Sequence, residues 1–320
     1  MPKPSKKYNC NILPNRIQTF SNIKEVRQKM GWQITAFNLP EPWKYTMGEG
    51  VKVAIVDSGC DLNHSDLKDN LLPGRNFIDP SKPPFDNYKH GTHLTGILCA
   101  ENNDIGMIGV APKSKVIPVK ALDEKGKGDM RIVADAIRWS ADQGVDFIVL
   151  SLGSPRPLDV ILKAVQYAVA QNAVVICAAG NAGKNKKIFF PAAYPETIAI
   201  GAIDKNFNFA EFSCTGSEMD FLAPGVEIMS TIPDNWYGLM TGTSMAAPFF
   251  CGVCALLLSY VRNNNLKISL KNKDDYCKIL KNYTLNAKNV RTTERKLFEG
   301  FGIIDPNKLE KFIENFASSQ

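Results

Sequence analysis

Histidine is scarce in this chain: three in 320 residues, at positions 64, 90 and 93. Chemistry that needs an imidazole near neutral pH therefore has few candidates. Long apolar runs are missing too. No stretch approaches about 20 uncharged apolar residues, so no membrane span is expected. The N-terminus carries Lys3, Lys6 and Lys7, but no apolar run of about 7–15 residues follows, so a secretory signal is not expected. Internal repeats and low-complexity segments are absent. Strong charge is absent as well: the net charge is +6 and the pI about 8.8. Lysine and arginine are scattered without interleaved aromatics, a solvated surface rather than a nucleic-acid footprint.

With 44% hydrophobic and 22% charged residues, the composition is that of a globular chain able to bury a core without covalent staples. Eight cysteines stand at 10, 60, 99, 177, 214, 251, 254 and 277. Several lie inside apolar patterns such as Val175-Ile176-Cys177-Ala178. They read as buried free thiols in a reducing compartment, and a cytoplasmic location follows as the expectation. Cys251 and Cys254 form a C-x-x-C on an apolar helix with no partner ligands nearby, which predicts thiol packing.

From about residue 51 onward, apolar runs alternate with helical patterns. Strands are predicted at 51–56, 116–119, 145–150, 173–177 and 197–202, with helices at 129–142, 158–170 and 246–261. Such alternation predicts an α/β fold with a mostly parallel sheet covered by helices on both faces. Ligand chemistry then collects where strands end.

Three blocks lie at such places: Asp57-Ser58-Gly59, His90-Gly91-Thr92-His93 and Gly242-Thr243-Ser244-Met245-Ala246-Ala247-Pro248. They supply an acid, a base and a nucleophile in the order Asp, His, Ser, and chain order separates triads built on unrelated scaffolds. Ser244 opens the long apolar helix, where free backbone N–H groups and the positive dipole end favour developing negative charge. His90 precedes a helical run with its ring free. His93 points inward and His64 braces a loop. Asp57, at a strand end, would orient the imidazole. Asn181, in Ala179-Gly180-Asn181-Ala182-Gly183, could donate to an oxyanion together with the Ser244 N–H.

On these motifs the chain resembles the subtilisin-like serine proteases from about residue 32 to about residue 313. The resemblance implies a three-layer α/β fold with a central, mostly parallel sheet of about seven strands and helices on both faces. It implies peptide-bond hydrolysis through an acyl-enzyme. Substrate would bind as an extended strand between Gly126-Lys127-Gly128 and Ser151-Leu152-Gly153. Ala178, Ala179 and Gly180 would line the pocket for the residue before the cut, and Phe189 would shorten it. A structural calcium ion would be held by the side chains of Asp66 and Asn103 and the carbonyls of Glu101, Ile105 and Met107. Phe249 replaces a histidine common in relatives, at a packing position. Cys60, three residues after Asp57, resembles a feature of intracellular members and would make the enzyme sensitive to thiol reagents.

Secreted subtilisins carry a signal and a folding prodomain, for which the N-terminal residues leave no room. Intracellular ones carry a short extension across the site. Ile12-Leu13-Pro14 loosely matches its motif, so residues 1–31 are expected to form an N-terminal extension that inhibits until trimmed, and 32–320 a single catalytic domain. Protein or peptide substrates are the expected partners, with no nucleic acid and no membrane; dimerisation is implied by analogy with intracellular relatives. Two alternatives stand beside this reading: a dedicated processing protease with one substrate, and a catalytically silent binding or sensing protein.

Overall fold

Val53, Ala54, Ile55 and Val56 are all buried in the strand Lys52–Asp57. A run buried on both faces is what the middle of a helix-covered parallel sheet requires. The computed structural model describes residues 9–12, 16–19 and 27–308. Within them the strands are β1 (Asn9–Ile12), β2 (Arg16–Thr19), β3 (Lys52–Asp57), β4 (Arg75–Asn76), β5 (Lys115–Lys120), β6 (Lys127–Asp129), β7 (Phe147–Leu150), β8 (Leu152–Gly153), β9 (Val174–Ala178), β10 (Ile198–Ile203), β11 (Phe221–Pro224), β12 (Ile228–Ile232), β13 (Trp236–Thr241), β14 (Thr284–Leu285) and β15 (Ile303–Ile304). The helices are α1 (Trp32–Thr35), α2 (Pro40–Trp43), α3 (His90–Cys99), α4 (Met130–Asp142), α5 (Asp159–Ala170), α6 (Thr243–Asn263), α7 (Lys273–Leu280) and α8 (Arg295–Phe298).

The central sheet has nine strands in the order β14-β15-β11-β10-β9-β7-β3-β5-β4. All pairings are parallel except β14 with β15. About seven strands were expected; the sheet has nine, three of which (β4, β14 and β15) are only two residues long. Strands that short carry no periodic signal. Helices α4 and α5 pack on each other, as do α3 and α6, and both pairs lie against the sheet. The βα alternation read from the sequence is therefore the architecture.

One premise needs correcting, that no apolar stretch approaches membrane-spanning length. Helix α6 is 21 residues long and apolar enough to cross a membrane by length and composition. It is nonetheless enclosed by protein along its length, because it is the central core helix. Its Pro248 lacks an N–H, which leaves the Ser244 carbonyl without its helical partner. The Ser151 hydroxyl donates to that carbonyl at 2.9 Å instead.

The seven described cysteines are buried and free. Cys251 and Cys254 lie in the α6 core, where burial pushes both thiols well above their ordinary range. Phe249 is also buried and packs on Phe37. Cys10 lies in β1, of whose side chains nothing is described.

Candidate active site

Strand β3 delivers Asp57 and helix α3 begins at His90. The Asp57 Oδ1 lies 2.8 Å from His90 Nδ1, with both side chains buried. A carboxylate only accepts, so Nδ1 donates the proton in this bond. The Ser58 N–H donates to the same Oδ1 at 2.7 Å. Two features bring these segments together. Asp86 caps α3, accepting from the N–H groups of Tyr88, Lys89 and Thr92 and from the Thr92 hydroxyl. Gly91 permits the close approach, since a Cβ there would lie 2.1 Å from the Gly59 carbonyl oxygen.

Ser244 stands in the first turn of α6, and its hydroxyl donates to the Ser151 carbonyl at 3.3 Å. Asn181 follows β9. Its Oδ1 accepts from the Thr243 N–H at 2.9 Å and from the Thr243 hydroxyl at 2.8 Å. The two bonds from Thr243 thus set the orientation of the Asn181 amide plane.

An extended segment of the chain lies beside these residues. Strand β1 runs antiparallel between β6 and β8, pairing Cys10 with Gly128, Asn11 with both Lys127 and Gly153, and Ile12 with Leu152. Strand β2 pairs antiparallel with β13, setting Arg16 opposite Thr241. The two strands thus bracket the start of α6. Residues 13–15 between them, including Leu13 and Pro14, lie outside the described residues. Beside β13 opens a cavity of about 670 Å³, whose walls include Phe212, Glu227, Leu239 and Thr241.

Gly126 sits in a turn at φ 68°. Ala178 and Ala179 are buried, and the Ala179 carbonyl accepts from the Phe189 N–H. The Phe189 ring closes on Gly180, where a Cβ would lie 3.2 Å from it.

The remaining histidines are structural in placement. Buried His93 has its Nε2 3.1 Å from the Ile228 carbonyl and 3.0 Å from that of Gly238. Burial pushes its pKa down to about 3. His64 faces the Trp236 carbonyl through Nε2 and accepts the Asp66 N–H at Nδ1, bracing that loop. Cys60 overturns one expectation. It is wholly buried, and burial raises its thiol well above the ordinary range, so it is no exposed reactive group.

The polar loop expected to hold calcium is well ordered by hydrogen bonds. Asp66 Oδ2 accepts from the Met107 N–H at 3.0 Å and the Tyr237 hydroxyl at 2.7 Å, and its Oδ1 accepts from Asn103 at 3.2 Å. The Gln28 amide nitrogen lies 2.6 Å from the Glu101 carbonyl and 3.3 Å from that of Met107. Ile105 is bridged to Arg27. Among the described residues no three His, Cys, Asp or Glu side chains form a metal cluster, so the oxygens gathered here are one carboxylate, Asp66, with amide and main-chain carbonyl oxygens.

Sequence reasoning missed Asp86, Gln28 and Lys120. Asp86 could have been found, as an Asp shortly before a helical run is a capping signal. Gln28 carried no local signal, because its partners lie more than seventy residues away.

Comparison with known proteins fits this geometry. The model of the subtilase family matches residues 48–303. The chain is 40% identical over 237 residues to the major intracellular serine protease of Bacillus subtilis (strain 168), covering 71% of this chain and 74% of that one. It is 37% identical over 250 residues to an intracellular serine protease of Paenibacillus polymyxa, 76% of each. It is 44% identical over 224 residues to a thermophilic serine proteinase of Bacillus sp. (strain AK1), covering 69% of this chain but 56% of that protein. On the family match, the chain belongs to the subtilase family and is a subtilisin-type serine protease.

Proposed function

We propose that the chain is a cytoplasmic, calcium-stabilised serine endopeptidase whose N-terminal extension, residues 1–31, blocks the cleft of the catalytic domain until it is trimmed. The observation that carries this reading is strand β1, seated antiparallel between β6 and β8 and leading toward Ser244. An extended peptide paired to two backbone edges is strand-addition recognition, with main-chain affinity and little sequence demand.

In the reaction, Ser244 Oγ attacks the carbonyl carbon held at the end of β8, and His90 Nε2 takes its proton. Asp57 keeps the imidazole in the Nδ1–H tautomer and stabilises the imidazolium. The developing oxyanion is met by the Asn181 amide and the Ser244 N–H. His90 then protonates the leaving amine, and water releases the acyl group from Ser244 by the same proton transfers in reverse order. Ala178, Ala179 and Gly180, narrowed by Phe189, favour a small side chain before the cut. The cavity beside β13 takes side chains on the leaving side.

Calcium fits the loop at 101–107. The amide oxygen and nitrogen of Gln28 exchange places by rotation, so Gln28 joins Asp66, Asn103 and the carbonyls of Glu101, Ile105 and Met107 in the oxygen-rich set a hard cation prefers. The ion would tie the segment at Gln28 to the loop and take no part in bond cleavage. A cytoplasmic location is supported by the buried free thiols and by the names of two relatives. Dimerisation belongs to the same reading, and sedimentation tests it.

The deciding experiment is labelling with a fluorophosphonate probe, full chain against a form lacking residues 1–19, each beside Ser244→Ala. Labelling of the trimmed form that vanishes in the alanine variant supports the reading. Equal labelling of both forms removes the inhibitory role. No labelling of either moves the chain to a silent binding protein.

A further inference from the structure

Lys120 closes β5 with its side chain buried, 5% exposed, in the wall behind the Asp57–His90 pair. In the parallel β3–β5 ladder it stands directly opposite Asp57. Its ammonium donates to the Ser58 carbonyl at 2.7 Å. Ser58 is fully engaged: its N–H is on Asp57 Oδ1 at 2.7 Å, and its hydroxyl accepts from the Gly91 N–H at 2.9 Å. One residue thus ties the end of β3 to the start of α3, and Lys120 holds that residue from behind.

Burial of a lysine is costly unless neighbouring charges offset it. Here the neighbours are acidic: Asp57 from β3, Asp86 from the cap of α3, and Asp123 and Glu124 from the loop after β5. Burial outweighs the four carboxylates and leaves the Lys120 pKa below its ordinary value, while each carboxylate works to raise it. The Asp57 Oδ2 is buried with no hydrogen-bond partner of its own. His93, buried beside His90, has its pKa pushed down to about 3, so Lys120 rather than His93 is the basic group facing these carboxylates.

We infer that Lys120 is a positioning residue for the catalytic pair: it fixes the Asp57-Ser58 turn through the Ser58 carbonyl and sets a positive charge opposite Asp57, behind the pair. The inference rests on the proposed roles of Asp57 and His90. It goes beyond them in assigning part of their electrostatics to a residue that touches neither substrate nor the reacting atoms.

The test compares the full chain, allowed to process itself, with Lys120→Met and Lys120→Gln. The pH dependence of kcat and kcat/KM on a peptide substrate is measured per titrated active site. Without the ammonium, both protonated Asp57 and the imidazolium of His90 become easier to form. The acidic limb of the profile should therefore move to higher pH by about one unit, with kcat at pH 6 lower by about tenfold and KM little changed. Gln can still donate to the Ser58 carbonyl, so it should show the same shift of the limb with less loss of melting temperature than Met. An acidic limb that stays in place in both variants overturns the inference, even where activity falls. If the wild-type enzyme shows no Ser244-dependent turnover, it is the protease reading that fails.

Discussion

Ser151 and Ser244 are joined twice: the Ser151 hydroxyl donates to the Ser244 carbonyl at 2.9 Å, and the Ser244 hydroxyl donates to the Ser151 carbonyl at 3.3 Å. The first bond serves an acceptor that Pro248 cannot satisfy. Ser151→Ala should leave that buried carbonyl unpaired, at about 1–3 kcal/mol. Thermal denaturation should show the loss, and kcat should fall because the start of α6 is no longer pinned to the substrate edge at β8.

Asn181 is oriented by Thr243, which donates to its oxygen twice. Removing one oxyanion donor from a subtilisin lowers kcat by about 10²–10³, and that figure is carried over to Asn181→Ala here. KM should change little, because the donor acts on charge that develops after binding. Thr243→Val should lower kcat more modestly, by about fivefold, as the amide loses one of its two anchors. Steady-state kinetics on a single peptide substrate checks both.

Deleting residues 1–12 removes only β1, whereas deleting 1–19 also removes β2 from β13. The second deletion should therefore give the larger gain in hydrolysis of peptides long enough to span both sides of the cleft. Assays of the two truncations beside the full chain decide it.

Calcium should raise the melting temperature, and a chelator should lower it. At a concentration about a hundredfold above its dissociation constant the ion contributes about 2.7 kcal/mol. Gln28→Ala and Asp66→Asn should each weaken the response. Scanning calorimetry against calcium concentration reads this without any activity assay.

His93 stays neutral in the fold down to about pH 3, while in the unfolded chain it protonates near 6.5. Between those values the unfolded state binds more protons, so stability is fully present above about 6.5 and is lost as pH falls. By pH 5 the loss from this residue is about 2 kcal/mol. Denaturant unfolding of the wild type and of His93→Gln between pH 5 and 7 checks the sign: the variant should show a flatter slope.

Much of the fold was legible because it is local. Val51 to Val56, Val145 to Leu150 and Ala173 to Cys177 announce strands by short, β-rich apolar runs broken only by Lys52 and Asp146, and the spacing over 129–142 announces α4. The short strands β4, β14 and β15 escaped because two residues have no period. Asp86 was readable from its distance to His90. Gln28 and Lys120 were not, because each matters through a partner brought near only by folding.

The sequence by itself determined the family, the order of acid, base and nucleophile, and the βα alternation that sets strand ends around one crevice. These follow from residue type and spacing along the chain. Only the tertiary structure decided that β1 lies between β6 and β8, that Cys60 is sealed away, and that Lys120 sits behind Asp57. Backbone pairing, burial and charge depend on distances in space, which contiguous residues do not record.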